Sequence, residues 1–134
     1  DLLRLAETLA QQAGDPPGLR IDLLFGRGLA QYEANRHAEA IATYERLRGI
    51  AAAEGLDLDA SAALLDLGNS RDALGDYAGA RAAYLQGLAE VEPLLGPLHP
   101  TLADFHNNLA SVSLALADPD AALHHLERSE AIAR

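Results

Sequence analysis

The segment LLDLGNSRDALGDYAGARAAY, residues 64–84, decides the fold of this chain. Its first half carries a stripe with the period of an α-helix, in which only the arginine is polar: Leu64, Leu67, Gly68, Arg71 and Leu74. Gly75 and Asp76 interrupt this stripe, because glycine favours turns and aspartate caps the start of a helix. A second helical stretch follows, with Ala80 and Tyr84 one turn apart. The segment therefore predicts two antiparallel helices joined by a tight turn.

The same arrangement recurs every 40 to 42 residues, as shown by aligning Ala40, Ala80 and Ala122. Twelve positions before each alanine stands a small residue, and four positions after it stands a bulky one. The small residues are Gly28, Gly68 and Ala110, and the bulky ones are Tyr44, Tyr84 and Leu126. Because two helices approach to about 8 Å only where the facing residues are small, each bulky residue is expected to fill the groove beside the contact. The spacing predicts three copies of one helix pair.

Glycine and proline clusters divide the whole chain into helix-length segments. We predict seven helices, at about 1–13, 20–34, 37–53, 59–74, 77–94, 100–116 and 119–133. The first carries its own apolar stripe, formed by Leu2, Leu5, Ala6, Leu9 and Ala13. Alanine and leucine dominate the composition while β-branched residues are scarce, which also favours an all-α fold.

At these positions the chain resembles the tetratricopeptide repeat family. The motif is Leu64-x-x-Leu67-Gly68 followed by Gly75-Asp76-Tyr77-x-x-Ala80-x-x-x-Tyr84. The long period, Leu95-Gly96-Pro97-Leu98-His99-Pro100 and Asn107-Asn108-Leu109-Ala110 are similar to the long-repeat variant found in kinesin light chains. Departures from the family pattern occur at Arg27, Gly87, His106 and Ser129.

The resemblance implies an all-α, right-handed α-solenoid of antiparallel helix pairs, in one domain spanning residues 1–134. Within it we expect a helix of a preceding repeat at 1–18 and three repeats at 19–58, 59–98 and 99–134. The family's known role implies that the first helix of each pair lines a concave face that binds peptides or protein segments. Such arrays seldom catalyse reactions.

Matching the repeats to the family places nine candidate binding residues on this concave face. They are Phe25, Tyr32, Leu65, Asp66, Asn69, Asp72, Asp104, Asn107 and Asn108. The same match places Asp22, Leu29 and Ser111 on this face. An asparagine amide offers both a donor and an acceptor, as a peptide bond does, and the resemblance gives Asn69 and Asn108 the role of holding a ligand's backbone. The alternative is that Asn107 and Asn108 order the helix pair or face water.

The net charge of −10 makes binding to the phosphate backbone of nucleic acids unfavourable. The four aspartates assigned to the groove, Asp22, Asp66, Asp72 and Asp104, predict a basic or amphipathic partner, although an acidic chain carries acid on every face. No apolar run approaches the length of a membrane span, and the composition gives no sign of a secretory signal; we expect a cytoplasmic protein that does not bind membranes.

No residue pattern in the sequence predicts a catalytic residue, a metal site or a cofactor site. Absent cysteine excludes thiolate chemistry. His124 and His125 point about 100° apart on a helix, and His106 has no third ligand at helical spacing. The run Gly26-Arg27-Gly28 lacks the third glycine and the preceding strand of a phosphate loop. We therefore predict a protein that is not an enzyme and needs no cofactor.

The function predicted is protein–protein interaction, as the regulatory or scaffolding arm of a larger bacterial protein. The Ala/Arg-rich, lysine-free style resembles arrays attached to bacterial serine/threonine kinases, caspase-like proteases and ATP-dependent regulators. One alternative is a homodimer formed through exposed solenoid ends. Another is an intramolecular arm that controls an attached kinase, protease or transcriptional regulator.

Overall fold

Residues 2–12, 14 and 17–134 are described by the computed structural model, and they form seven α-helices and no strand. The helices are α1 (Leu2–Gln12), α2 (Pro17–Glu33), α3 (His37–Ala53), α4 (Asp57–Ala73), α5 (Tyr77–Leu95), α6 (Pro100–Ala115) and α7 (Pro119–Ala133). The prediction of an all-α solenoid with seven helices is confirmed, with ends shifted by at most a few residues. Ala13, the last member of the predicted stripe in the first helix, lies outside the described residues.

Each helix contacts the next along the chain, so the fold is a row of antiparallel hairpins. In addition, α2 contacts α4 and α4 contacts α6, whereas no contact joins α3 to α5 or α5 to α7 within the described residues. The first helices of the pairs therefore stand closer together than the second ones. This difference curves the row and places α2, α4 and α6 on its concave face.

The turns between helices follow the local chemistry of the sequence. Gly75 takes a φ of +79° between α4 and α5, and the carboxylate of Asp76 then accepts a hydrogen bond from the Gly79 N–H at 2.9 Å. Asp118 caps α7 in the same way through the Ala121 N–H at 3.2 Å. Both aspartates thus cap the first turn of the helix that follows them.

Glycines on the concave helices allow tyrosine rings of the outer helices to lie against the backbone. A Cβ atom on Gly28 would stand 2.6 Å from the Tyr44 ring, and one on Gly68 would overlap the ring of Tyr84. Both tyrosines are buried, Tyr84 completely. The small-to-bulky pairing predicted from the sequence is therefore the central contact of the first two helix pairs.

The third pair departs from this pattern, and the expectation that Leu126 fills a groove is wrong. Leu126 is 49% exposed, since no described helix covers the outer face of α7. At the other end of the array, the predicted apolar stripe of α1 also faces outward, with Leu2, Leu5 and Leu9 more than half exposed.

The Gly68→Ala substitution should destabilise the protein by about 1–3 kcal/mol, because the added methyl group collides with the buried ring of Tyr84. Urea denaturation followed by circular dichroism measures this change. The matched control is Gly49→Ala in α3, where a Cβ meets nothing within 4 Å. There the better helix propensity of alanine should stabilise the protein by about 0.5–1 kcal/mol. Equal shifts of the two variants would contradict the assigned contact.

Candidate functional site

Two asparagines connect the second and third helices of the concave face. The Nδ2 of Asn108 on α6 donates to the Oδ1 of Asn69 on α4 at 3.0 Å, and the hydroxyl of Tyr84 donates to the same oxygen at 2.6 Å. Both asparagines are half-buried. The Asn108 side chain therefore joins α6 to α4 of the preceding pair rather than to α7 of its own pair, and the Tyr84 hydroxyl connects this bridge to the core.

This arrangement leaves two polar groups of the asparagine pair for a ligand. Within the described part of the chain, no partner is found for the Nδ2 of Asn69 or the Oδ1 of Asn108. One is a donor and the other an acceptor, and they lie on side chains that are hydrogen-bonded to each other. This pair has the chemistry needed to bind the C=O and N–H groups of an extended peptide.

A cavity of about 90 Å³ lies beside this pair, between α2, α3 and α4. Its lining residues are Leu29, Tyr32, Tyr44, Asp66 and Asn69. Tyr32 also stacks edge-on against His37, with ring centroids 4.9 Å apart, which orients its ring at the rim. Three of the predicted groove residues, Tyr32, Asp66 and Asn69, are thus brought together in one place.

Asp66 supplies the only charge among the residues that line the cavity. Its carboxylate is half-buried, and no described side chain donates a hydrogen bond to it or forms an ion pair with it. Burial raises the pKa of Asp66 to about 6, because desolvation disfavours the charged form. Burial and the negative charge of Asp66 likewise raise the pKa of Tyr44. The cavity therefore favours an incoming positive charge.

The remaining predicted residues take less direct positions. Phe25 packs against Tyr44 with ring centroids 6.4 Å apart, so it contacts the cavity wall without lining the cavity. Leu65 packs on the buried cluster around Leu102 and Phe105. Asp72 is half-buried, and the side chains of Asp104 and Asn107 are exposed.

Tyr44 was interpreted from the sequence as a packing residue alone, and its place in the cavity wall was missed. Gly28 in the sequence was a partial indication, because the absence of a Cβ there lets the Tyr44 ring lie against the concave helix α2. The long tyrosine ring then reaches past the glycine to the cavity, which a spacing rule for small and bulky residues does not reveal.

A buried histidine pair between α6 and α7 was also missed. The Nδ1 atoms of His106 and His125 lie 3.0 Å apart, so a single proton is shared along this line and one ring is the donor. Burial, followed by the charges of His125, Arg128 and His124, lowers the pKa of His106 to about 4. The pKa of His125 is lowered as well, first by burial. In the part of the chain that the structure describes, no three potential metal ligands converge.

The repeat register contained the signal for this pair. His106 stands at the position of the buried Leu24 and Leu64, and His125 stands at that of the buried Thr43 and Ala83. Both positions face the core in the other repeats. The spacing of the histidines as metal ligands does not indicate this contact, whereas their positions in the repeat do.

Comparison with protein families assigns this architecture. A tetratricopeptide repeat model matches residues 59–134, and a second tetratricopeptide repeat model matches residues 22–50. The chain belongs to the tetratricopeptide repeat family. The predicted resemblance is thereby confirmed over the segment that decided the fold.

A solved tetratricopeptide-like solenoid shows the same arrangement of helices. BtubC (BKLC) from P. vanneervenii is 25% identical to this chain and superposes with a TM-score of 0.87 over 98% of it. The likeness supports the kinesin-light-chain-like variant of the family. The chain spans 53% of the length of BtubC. No curated protein sequence matches the chain.

Tetratricopeptide repeats are typical of protein–protein interaction modules and are generally non-catalytic. Among the described helices, none is long and apolar enough to cross a membrane.

The histidine pair should make the stability of the repeat array depend on pH. Because the pKa of His106 is lowered to about 4 from its ordinary 6.5, the unfolded chain binds protons that the folded chain does not. The contribution of His106 to the free energy of unfolding is thus fully present above pH 6.5 and is lost as the pH falls toward 4. Asp66 acts with the opposite sign, since its raised pKa removes stability as the pH rises through about 6. Urea denaturation at pH 5 and pH 7.5 measures the sum of these two contributions to the free energy of unfolding.

Substitution separates the two contributions. The His106→Leu variant, which restores the residue of the other two repeats, should lose less stability between pH 7.5 and pH 5 than the unmodified protein. His99→Asn, at an exposed histidine far from the pair, is the control and should retain the loss, because asparagine can also cap the start of α6. Identical pH dependences for His106→Leu and the unmodified protein would show that the buried imidazole does not titrate as described.

Proposed function

We propose that this chain binds an extended or helical segment of a partner protein along the concave face of α2, α4 and α6. Asn69 and Asn108 anchor the backbone of the segment. The remaining groove residues flank it: Phe25, Tyr32, Leu65, Asp66, Asp72, Asp104 and Asn107. No catalytic step, metal or cofactor is required for this function.

The observation that carries the proposal is the asparagine pair. Asparagine is disfavoured inside helices, because its side chain competes for backbone hydrogen bonds. Here two of them face each other across neighbouring helices, 3.0 Å apart, and each keeps a polar group without a partner in the described chain. Half-buried amide groups of this kind gain free energy when a ligand completes their hydrogen bonds. A peptide backbone supplies the matching donor and acceptor.

Charge favours a basic or amphipathic segment. Asp66 and Asp72 lie half-buried on α4, and Asp104 lies exposed on α6, within a chain of net charge −10. Attraction between opposite charges steers a basic segment toward this face and accelerates its association. Exposed parts of the encounter are screened by salt, with a Debye length of about 8 Å at physiological ionic strength.

The test is a peptide array probed with the unmodified protein and with two variants. Asn108→Ala removes the free acceptor of the pair. The variant should bind the recovered peptides roughly tenfold more weakly, as expected for the loss of one hydrogen bond in a half-buried site. Gln86→Ala, at an exposed amide side chain on the outer helix α5, is the control and should bind them as before. Asn69→Ala is less suitable, because it also removes the acceptor of the Tyr84 hydroxyl.

Two results would count against the proposal. If Asn108→Ala binds every recovered peptide as tightly as the unmodified protein, the segment does not lie along this face. If the affinities of the recovered peptides are the same at low and at high salt, the partner is not selected by charge.

A second candidate function is self-association through the ends of the array. Its support is the exposure of leucines on both end helices, Leu2, Leu5 and Leu9 on α1 and Leu123 and Leu126 on α7. Contiguous apolar surface of this kind is uncommon on a monomer and marks contact sites. Pairing of two copies would remove these side chains from water.

Light scattering over a concentration series tests this second function. A dimer is expected at high concentration, and the double substitution Leu123→Glu/Leu126→Glu should abolish it by placing charges in the contact. Leu85→Glu, at an exposed leucine in the middle of α5, is the control and should leave the dimer intact. A mass equal to the monomer at every concentration would remove the self-association function for this chain.

We also propose that the module acts in the cytoplasm as the regulatory or scaffolding arm of a larger bacterial protein such as a serine/threonine kinase. A protease or a transcriptional regulator is the alternative. The support is the style of the array, rich in alanine and arginine and free of lysine. In that setting the groove would be occupied either by a segment of the same polypeptide or by a separate protein.

A further inference from the structure

The two interfaces between concave helices use the same pair of repeat positions with different residues. Asn69 follows Gly68, and Asn108 stands two positions before Ala110. One repeat earlier, the corresponding residues are Leu29, which follows Gly28, and Asp66, which stands two positions before Gly68. The bridge between Asn69 and Asn108 therefore has a counterpart at Leu29 and Asp66.

The exchange of asparagine for leucine explains the state of the Asp66 carboxylate. In the α4–α6 interface, the side chain at the first position accepts from both Asn108 and Tyr84. In the α2–α4 interface, Leu29 has no polar atom to offer, so neither Asp66 nor the hydroxyl of Tyr44 has a hydrogen-bond partner in the described chain. Both groups line the 90 Å³ cavity instead.

We propose that this cavity is a subsite for one lysine side chain of the bound segment, with the ammonium group donating to the carboxylate of Asp66. The proposal rests on the function proposed above and assigns chemistry to one place in the same groove. It is a claim about this interface alone, because the equivalent place between α4 and α6 is closed by the asparagine bridge.

The walls of the cavity suit a lysine in each of its parts. The hydroxyl of Tyr44 supplies a second acceptor, and two of the five lining residues, Tyr32 and Tyr44, are aromatic, a type of side chain that can attract a cation. Leu29, which is 52% exposed at the mouth, offers apolar surface for the methylene stem. Charged or titratable groups reach this place from three helices, Tyr32 from α2, Tyr44 from α3 and Asp66 from α4. None of these is a cation.

Lysine is favoured over arginine by the size of the site and the number of acceptors. A guanidinium presents five donors in a rigid planar fork, which calls for bidentate acceptors and a wider opening. An ammonium is compact, and its three donors are met by one carboxylate, one hydroxyl and one water. A neutral side chain of the same length would leave the carboxylate desolvated without compensation.

An Asp66→Asn variant distinguishes a ligand site from a structural role. Its amide is nearly the same size but has no charge, so it removes a half-buried carboxylate that has no partner. Since the pKa of Asp66 is raised to about 6 from its ordinary 3.8, the charge weakens folding increasingly as the pH rises through about 6. The variant should therefore unfold at a higher urea concentration than the unmodified protein at pH 8, which excludes misfolding as a cause of lost binding.

The experiment is a titration of isotope-labelled protein, followed by the NMR signals of the Gly68 amide and the Asn69 side-chain amide. The probe is Nα-acetyl-lysine methylamide, and its neutral counterpart is Nα-acetyl-norleucine methylamide. At pH 8 the lysine probe should shift these signals and bind roughly tenfold more tightly than the norleucine probe. Its affinity should fall below pH 6, as Asp66 becomes protonated.

Three variants complete the test. Asp66→Asn should remove the preference for lysine, and Leu29→Asn should do the same by giving Asp66 an internal donor. Asp120→Asn, at an exposed acid on the outer helix α7, is the control and should keep the preference. Equal binding of the lysine and norleucine probes, equal binding of the corresponding arginine probe, or an unchanged preference in Asp66→Asn would each overturn the assignment. If the assignment of the subsite fails in this way while peptides in the array still lose affinity for Asn108→Ala, the groove binds its segment without a lysine subsite.

Discussion

The contact between a glycine on each concave helix and a tyrosine ring on the following outer helix constrains the rest of the structure. Without a Cβ at Gly68, the ring of Tyr84 can lie against the backbone of α4 and become completely buried. The same geometry holds at Gly28 and Tyr44. Because an aromatic side chain contributes a large apolar area at a single point, this contact fixes both the distance and the rotation of the two helices.

The ring also carries a polar end, and this connects packing to the binding surface. The hydroxyl of Tyr84 emerges on the concave side and donates to Asn69, which in turn accepts from Asn108 on the next repeat. A buried tyrosine hydroxyl requires a hydrogen-bond partner, so the asparagine satisfies the core and orders the groove at once. Changes in the packing of α4 and α5 therefore reach the surface through two hydrogen bonds.

Much of the fold was predictable because it depends on short-range rules. Helix ends follow from caps such as Asp76 and Asp118, and the pairing of helices follows from small residues at fixed spacing. The exposure of Leu126 was not predictable in this way, since burial of an end helix depends on what lies beyond it. The contact of His106 with His125 required the register of two helices to be read together, and the histidine types drew attention to metal chemistry instead.

The candidate site was predictable only as a set of positions on one face. The family resemblance placed Asn69, Asn108 and Asp66 on the concave helices, and the structure brings them close together. It did not reveal which of them would be satisfied internally, because that depends on atoms from three helices. Leu29 was placed on the concave face but was not among the candidate binding residues, yet its lack of a polar atom decides the state of Asp66.

Variation at two positions per repeat gives neighbouring interfaces different chemistry on an unchanged backbone. The residue after the small contact position is Leu29, Asn69 or Ser111, and the residue two before it is Gly26, Asp66 or Asn108. Across an interface the first position of one repeat meets the second position of the next, so the pairs are Leu29 with Asp66 and Asn69 with Asn108. One pair leaves a carboxylate for a cation, and the other leaves an amide donor and acceptor for a backbone. Since the glycine–tyrosine contacts hold the helices in place, these positions can change without loss of the fold, and the segment of the proposed function would meet different chemistry at each interface.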